Sequence, residues 1–272
     1  MSTKNINSLV ELFFENYQKQ NKNNILLTSL KDSSNYFSWK KTFLSIKKIS
    51  SEINKFLKKG DRCLLISENR PEWFISDLSI MLSGGITVPA YTTYAERDYE
   101  YIINDCSPKL VFVSNQEQFN KVENIINKNK FIEKIFSFEE LDFYKNKYIN
   151  LNNLLTNLNY EDESIPNLEL ERKDPACIIY TSGTQGNPKG VILSHGGILN
   201  NCEGALDILN PLLSNQTRFL TWLPLSHSYE HTVQFVQISV GAKIFYAESI
   251  EKLIKNMNDC KPQLMTAVPR FY

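Results

Sequence analysis

No stretch of about 18 consecutive apolar residues occurs in this sequence, so no segment reads as a bilayer-spanning helix. The strongest candidate, Phe74 to Ala90, is interrupted by Asp77 and two glycines. The N-terminus has no basic region followed by an uninterrupted apolar core, because Glu11 breaks Leu9–Phe14. That excludes a signal peptide of the usual form. There is no C-x-x-C pair. The five cysteines, Cys63, Cys106, Cys177, Cys202 and Cys260, are odd in number and far apart. Such spacing does not build a secreted disulfide framework and reads as reduced thiols of a cytoplasmic protein. Neither charge sign is in excess, with 30 Lys+Arg against 30 Asp+Glu. This argues against nucleic-acid binding through bulk basic charge. With 10 Gly and 10 Pro among 272 residues, collagen-like and Pro/Gly low-complexity classes are excluded. A peripheral contact with the inner face of a membrane stays open.

What is present is alternation. Ser8–Gln20 carries Leu9, Leu12, Phe13 and Phe14 on one helical face. Asn24–Ser29 and Asn35–Trp39 flank a turn and read as a hairpin. Lys40–Lys59 is helical in pattern and stops at Gly60. Arg62–Ser67 reads as a strand, Pro71 opens a helix that ends before Gly84-Gly85, and Ile86–Pro89 is a strand again. Helix Ala95–Asp105 and strand Leu110–Ser114 continue the rhythm. Short buried strands alternating with helices predict α/β architecture with mostly parallel, doubly wound sheets.

From about Lys145 to Lys173 the rhythm is lost in polar, Asn-rich sequence, and a surface connection is expected. Accordingly, residues 1–150 read as a first α/β subdomain, 151–173 as the connection and 174–272 as a second α/β subdomain. In the second, strands are expected at Ala176–Tyr180, Gly190–Leu193, Arg218–Leu223, Lys243–Tyr246 and Gln263–Thr266. Helices are expected at Gly196–Leu209, His231–Val240 and Ile250–Asn258. Pro269 looks like the start of a new helix just before Tyr272, which suggests a truncated chain.

The densest motif is Tyr180-Thr181-Ser182-Gly183-Thr184-Gln185-Gly186-Asn187-Pro188-Lys189-Gly190, following an apolar strand. Its glycines permit close backbone approach and a nest of N–H groups for an anion. Thr181, Ser182 and Thr184 add hydroxyls, and Lys189 adds a compact positive charge. The spacing fits neither a Walker A loop nor a G-x-G-x-x-G turn.

This segment resembles the phosphate loop of the acyl-adenylate-forming (AMP-binding) enzymes. Gly60-Asp61-Arg62, Asn69-Arg70-Pro71-Glu72-Trp73, Gly84-Gly85-Ile86-Thr87-Val88-Pro89, Leu223-Pro224-Leu225-Ser226-His227 and Val268-Pro269-Arg270 resemble further landmarks of the family, in its order. Gln185 departs from it, standing where Thr or another small polar residue is usual. Val88–Thr93 and Leu225–Glu230 look most like the long-chain fatty acid–CoA ligases. The resemblance implies the N-terminal part of an adenylating domain. It also implies a two-step reaction with ATP, Mg²⁺ and coenzyme A: a fatty acid carboxylate attacks the α-phosphorus of ATP, and a thiol then displaces AMP. Ser182, Gly183, Thr184, Gly186 and Lys189 would cradle the departing phosphates, Thr181 would touch the metal, and His227 would stand by the acyl carboxylate. The family's Tyr-Gly-x-Thr-Glu segment, its ribose-binding Asp and its C-terminal domain with a catalytic Lys are not in this sequence. The chain alone is therefore expected to be inactive.

Two other readings compete. His227-Ser228-Tyr229-Glu230-His231 spells H-x-x-E-H, an inverted zinc-peptidase motif, but His227 stands at a helix start and no further ligand is evident. His195, beside Gly196-Gly197, reads as structural, and His227 could cap a helix without touching a ligand. The chain could also be a non-catalytic ATP- or partner-binding protein that retains the phosphate loop.

Overall fold

The computed structural model describes residues 5–142, 148–181, 188–213 and 216–269. Helix α1 (Leu9–Lys19) opens where the Ser8 hydroxyl accepts from the Glu11 N–H. Strands β1 (Ile25–Ser29) and β2 (Tyr36–Ser38) form the expected antiparallel hairpin. Helix α2 (Trp39–Ile53) is capped by Ser38 and ends before the expected Lys59. Strand β3 (Arg62–Ile66) leads into α3 (Pro71–Leu82), with Pro71 at the first helical position, where its missing N–H costs nothing. Then follow β4 (Ile86–Ala90), α4 (Glu96–Cys106), β5 (Leu110–Val113), α5 (Gln116–Asn120), α6 (Glu123–Lys128) and β6 (Lys134–Ser137).

The stretch expected to be pure connection contains β7 (Tyr148–Asn150) and α7 (Leu151–Leu155). Three residues of edge strand carry too little periodicity to stand out from polar sequence. The acidic cluster after it is tied back to the N-terminal region: Glu163 binds Lys22 and Lys40, and Asp162 binds Lys47. Beyond it come β8 (Pro175–Thr181), β9 (Lys189–Ser194), α8 (His195–Leu209), β10 (Arg218–Thr221), α9 (Ser228–Ser239), β11 (Lys243–Tyr246), α10 (Leu253–Cys260) and β12 (Leu264–Met265).

The strands form two sheets. One has the order β7-β6-β5-β3-β4-β8-β9 and the other β12-β10-β11-β1-β2. All described neighbours are parallel except β8–β9 and β1–β2, which pair antiparallel at the sheet edges. The sheets do not follow the division of the chain at 150 and 174. Strands β8 and β9 join the strands of the first 150 residues, while β1 pairs with β11, placing Leu27 beside Ile244.

Alternation along the strands sorts the core into layers. Cys63, Leu65, Leu110 and Phe112 face a central helical layer that also packs on Leu27, Phe219 and Ile244 of the other sheet. That layer holds α1, α2, α3, α8 and α9. Leu64, Ile66, Val111 and Val113 face outward onto α4, α5 and α6. Leu220 and Phe245 face outward onto α10. The result is α/β with mostly parallel sheets, as the alternation predicts.

Candidate functional site

Open α/β sheets bind ligands at the carboxyl ends of their strands, and here two such ends meet. From the seven-stranded sheet come Ser67–Asn69 after β3 and Tyr91–Thr93 after β4. From the five-stranded sheet comes the Trp222–His227 loop after β10. The junction is stitched by one side chain: Asn69 donates through Nδ2 to the Leu223 carbonyl (2.7 Å) and accepts through Oδ1 from the Leu225 N–H (3.0 Å). An amide suits this bridge because its NH2 donates while its oxygen accepts. Asn69 lies in one of the sequence landmarks, yet its bridging role is invisible there because its partners are more than half the chain away.

His227 is the N-cap of α9, and its imidazole Nδ1 accepts from the Tyr229 N–H at 3.2 Å. The capping reading and the site reading therefore hold together. With Nδ1 accepting, the neutral ring carries its hydrogen on Nε2, leaving a donor free to face a ligand. The helix begins at Ser228, three residues before the expected His231, because His227 itself supplies the cap. Glu230 and His231 consequently sit in the first turn and are buried.

His231 and Asp77 of α3 form a hydrogen-bonded pair, Nε2 to Oδ2 at 2.7 Å, both essentially inaccessible to solvent. Burial alone would depress the imidazole, but the charge and hydrogen bond of Asp77, together with the neighbouring Cys177, push His231 up to about 10. The H-x-x-E-H letters are thus split between an exposed cap and a buried ion pair. His195 begins α8, accepts from the Leu9 N–H through Nδ1 at 3.3 Å, and is pushed down to about 4 by burial. It is a neutral strut between α8 and α1.

Thr181 ends β8 and Lys189 begins β9. The two are paired across the hairpin and both are exposed. Ser182, Gly183, Thr184 and Gly186 lie outside the described residues. The hairpin base is shaped by Gly190: a Cβ there would stand 2.9 Å from Ile178 Cγ2 and 3.2 Å from Tyr180 Cζ. The Tyr180 hydroxyl in turn donates to Asp105 Oδ2 at 2.5 Å.

Two cavities lie at the start of α9, and His227 lines the smaller. The small one, about 210 Å³, is walled by Tyr91, Leu223, Pro224, His227, Tyr229, Glu230 and Val268. The large one, about 750 Å³, lies between α8 and α9 over β10 and β12, and Leu193, Ile198, Leu209, Phe219, Val233 and Val236 make it apolar. Tyr229 lines both.

A profile of the AMP-binding enzyme family matches residues 14–272. The chain belongs to that family. Its sequence is 29% identical over 226 residues to long chain acyl-CoA synthetase 3 of Arabidopsis thaliana, covering 78% of this chain and 33% of the relative. Against fatty acyl-CoA synthetase A of Dictyostelium discoideum it is 28% identical over 248 residues, covering 87% and 36%. The chain thus spans about a third of the length of the curated relatives it matches. The fold is similar to that of the luciferase-like enzyme of the nonluminescent mealworm Zophobas morio, with a TM-score of 0.84 at 17% identity over all of this chain and 62% of that one. It is also similar to the N-terminal domain of FACL13 from Mycobacterium tuberculosis, with a TM-score of 0.81 at 17% identity, covering 97% and 64%. Two of the landmark segments, Asn69–Trp73 and Leu223–His227, meet at the junction, whereas Gly60–Arg62 and Gly84-Gly85 lie at the amino ends of β3 and β4. Among the described residues, no helix is long and apolar enough to cross a membrane.

Proposed function

We propose that the protein activates a long-chain fatty acid with ATP and passes the acyl group to coenzyme A. The observation carrying this reading is the continuity at Tyr229, whose side lines both an apolar cavity large enough for an alkyl chain and the small cavity beside His227. A chain in the large cavity brings its carboxyl end to the start of α9. His227 can then donate from Nε2 to the carboxylate or to the α-phosphate, orienting the two. A carboxylate oxygen attacks the α-phosphorus, and the bond to the pyrophosphate breaks with its electron pair leaving on the pyrophosphate. The protein's part is placement and charge. Lys189 offers its ammonium to the departing phosphates, with Ser182, Gly183, Thr184 and Gly186 supplying the loop between. Coenzyme A then enters as the thiol that displaces AMP.

Magnesium requires oxygen donors. Thr181 contributes one hydroxyl, and among the described residues no cluster of three or more His, Cys, Asp or Glu could hold a metal ion. None of the roles above runs through the metal.

Calorimetric titration with palmitate and with ATP tests the reading. Both are expected to bind. Ala205→Trp, which fills the large cavity, should abolish palmitate binding and leave ATP binding unchanged, while Lys189→Ala should weaken ATP alone. Palmitate affinity insensitive to Ala205→Trp would overturn it.

A further inference from the structure

Glu230 is fully buried, yet it lines the small cavity beside His227. Its Oε2 accepts from the Thr266 hydroxyl at 2.6 Å, and its Oε1 has no hydrogen-bond partner among the described residues. A buried carboxyl oxygen without a partner is costly unless a ligand or a proton satisfies it. Thr266 is itself fixed, because its carbonyl accepts from the Trp222 indole at 2.6 Å, and it lines the large cavity. Glu230 therefore stands between the two cavities, anchored on one oxygen, while the nearby Thr221 hydroxyl is engaged with the Gln237 amide.

We propose that Glu230 is a second recognition group for the substrate, binding the fatty acid carboxylate as a neutral carboxylic acid that donates from Oε1. The proposal rests on the reading that the large cavity holds an alkyl chain. The geometry selects the proton's position: with Oε2 accepting from Thr266, a neutral carboxyl carries its hydrogen on Oε1. An ionised Glu230 would repel a second carboxylate in so small an apolar space, whereas the neutral form offers it a donor. Burial pushes Glu230 up to about 7, with the hydroxyls of Thr266 and Thr221 opposing, so the neutral form is available near neutral pH. The titratable groups around it are His227, Tyr229 and His231 on its own helix, Tyr91 after β4, and Tyr246 on β11. His231 is already held protonated by Asp77, burial pushes the Tyr91 and Tyr246 phenols above their ordinary value, and His227 is common to every variant below.

The probes are dodecanoate and dodecanol, titrated into the 272-residue chain at about pH 6 and about pH 8. Dodecanoate should bind about tenfold more weakly at the higher pH, as Glu230 ionises, whereas dodecanol should bind equally at both. Glu230→Gln keeps a neutral donor, so it should bind dodecanoate at the higher pH as tightly as the wild type does at the lower, without pH dependence. Glu230→Ala should lose about tenfold or more at the lower pH. Thr266→Val removes a hydroxyl that favours the ionised form, so it should move the wild-type break to higher pH. A purely structural Glu230 would not produce that shift. Dodecanoate binding with the same pH profile in wild type and Glu230→Gln would overturn the proposal and leave the alkyl-chain reading standing. Failure of both probes to bind would overturn both.

Discussion

His227 stands on a loop fixed by side chains from the opposite sheet, whereas Lys189 stands exposed at the start of an edge hairpin strand. The loop is held by Asn69, by the burial of Leu225, and by the His231–Asp77 pair one turn into α9. The hairpin is held mainly by backbone pairing, with Gly190 and Tyr180 shaping its base. On the proposed reading, the acyl side is preorganised by packing, which apolar recognition needs because it has no direction of its own. The phosphate side needs only reachable donors and charge, which remain effective at an exposed position.

That contrast can be broken by measuring stability and binding in the same variants. The largest effect belongs to the buried pair. Asp77→Ala leaves His231 without its counter-charge and should cost about 3–5 kcal/mol in urea unfolding. Because His231 titrates higher in the folded chain than free imidazole does, the pair's contribution is complete below about pH 6.5. It is lost as pH rises through about 10. Wild-type stability should therefore decline across that window, and in a His231→Gln variant the decline should vanish. Asn69→Ala comes next. It removes two hydrogen bonds to the loop backbone and should cost about 2 kcal/mol, with weaker palmitate binding. Lys189→Ala should be smallest in stability, within about 0.5 kcal/mol, yet lower ATP affinity about tenfold. If Lys189→Ala destabilised the chain as much as Asn69→Ala, the distinction between a packed half and an open half would be lost.

Local pattern carried a good deal of this. Helix α3 begins at Pro71 and β3 and β4 fall where apolar runs predict them, because burial on both faces leaves an uninterrupted signal. The position of His227 beyond a strand end was legible from its place after Pro224. What escaped was relational. The antiparallel turn of β8 into β9 cannot be told from a parallel strand by composition, since both are short and apolar. The early start of α9 depended on a histidine acting as an N-cap, a role more often taken by Ser, Thr, Asp or Asn. Glu230 was visible only as a letter in a metal-like motif. Its meaning came from Thr266 and from the small cavity, neither of which is near it in sequence. Asn69 sat inside a recognisable segment, but its partners come from the other sheet.

The pairing of β1 with β11 carries a consequence for the order of events during synthesis. The hairpin β1–β2 leaves the ribosome early, but the strand that covers the free edge of β1 is made only when Tyr246 has been added. Until then that edge lacks its final partner, although α1 can already stack Phe13 on Trp39 and Tyr17 on Phe43. The nascent seven-stranded sheet reaches most of its pairings sooner, through strands close in sequence. Assembly of the five-stranded sheet is accordingly the late, non-local step, and the waiting hairpin is the part most open to unwanted strand pairing or to a chaperone.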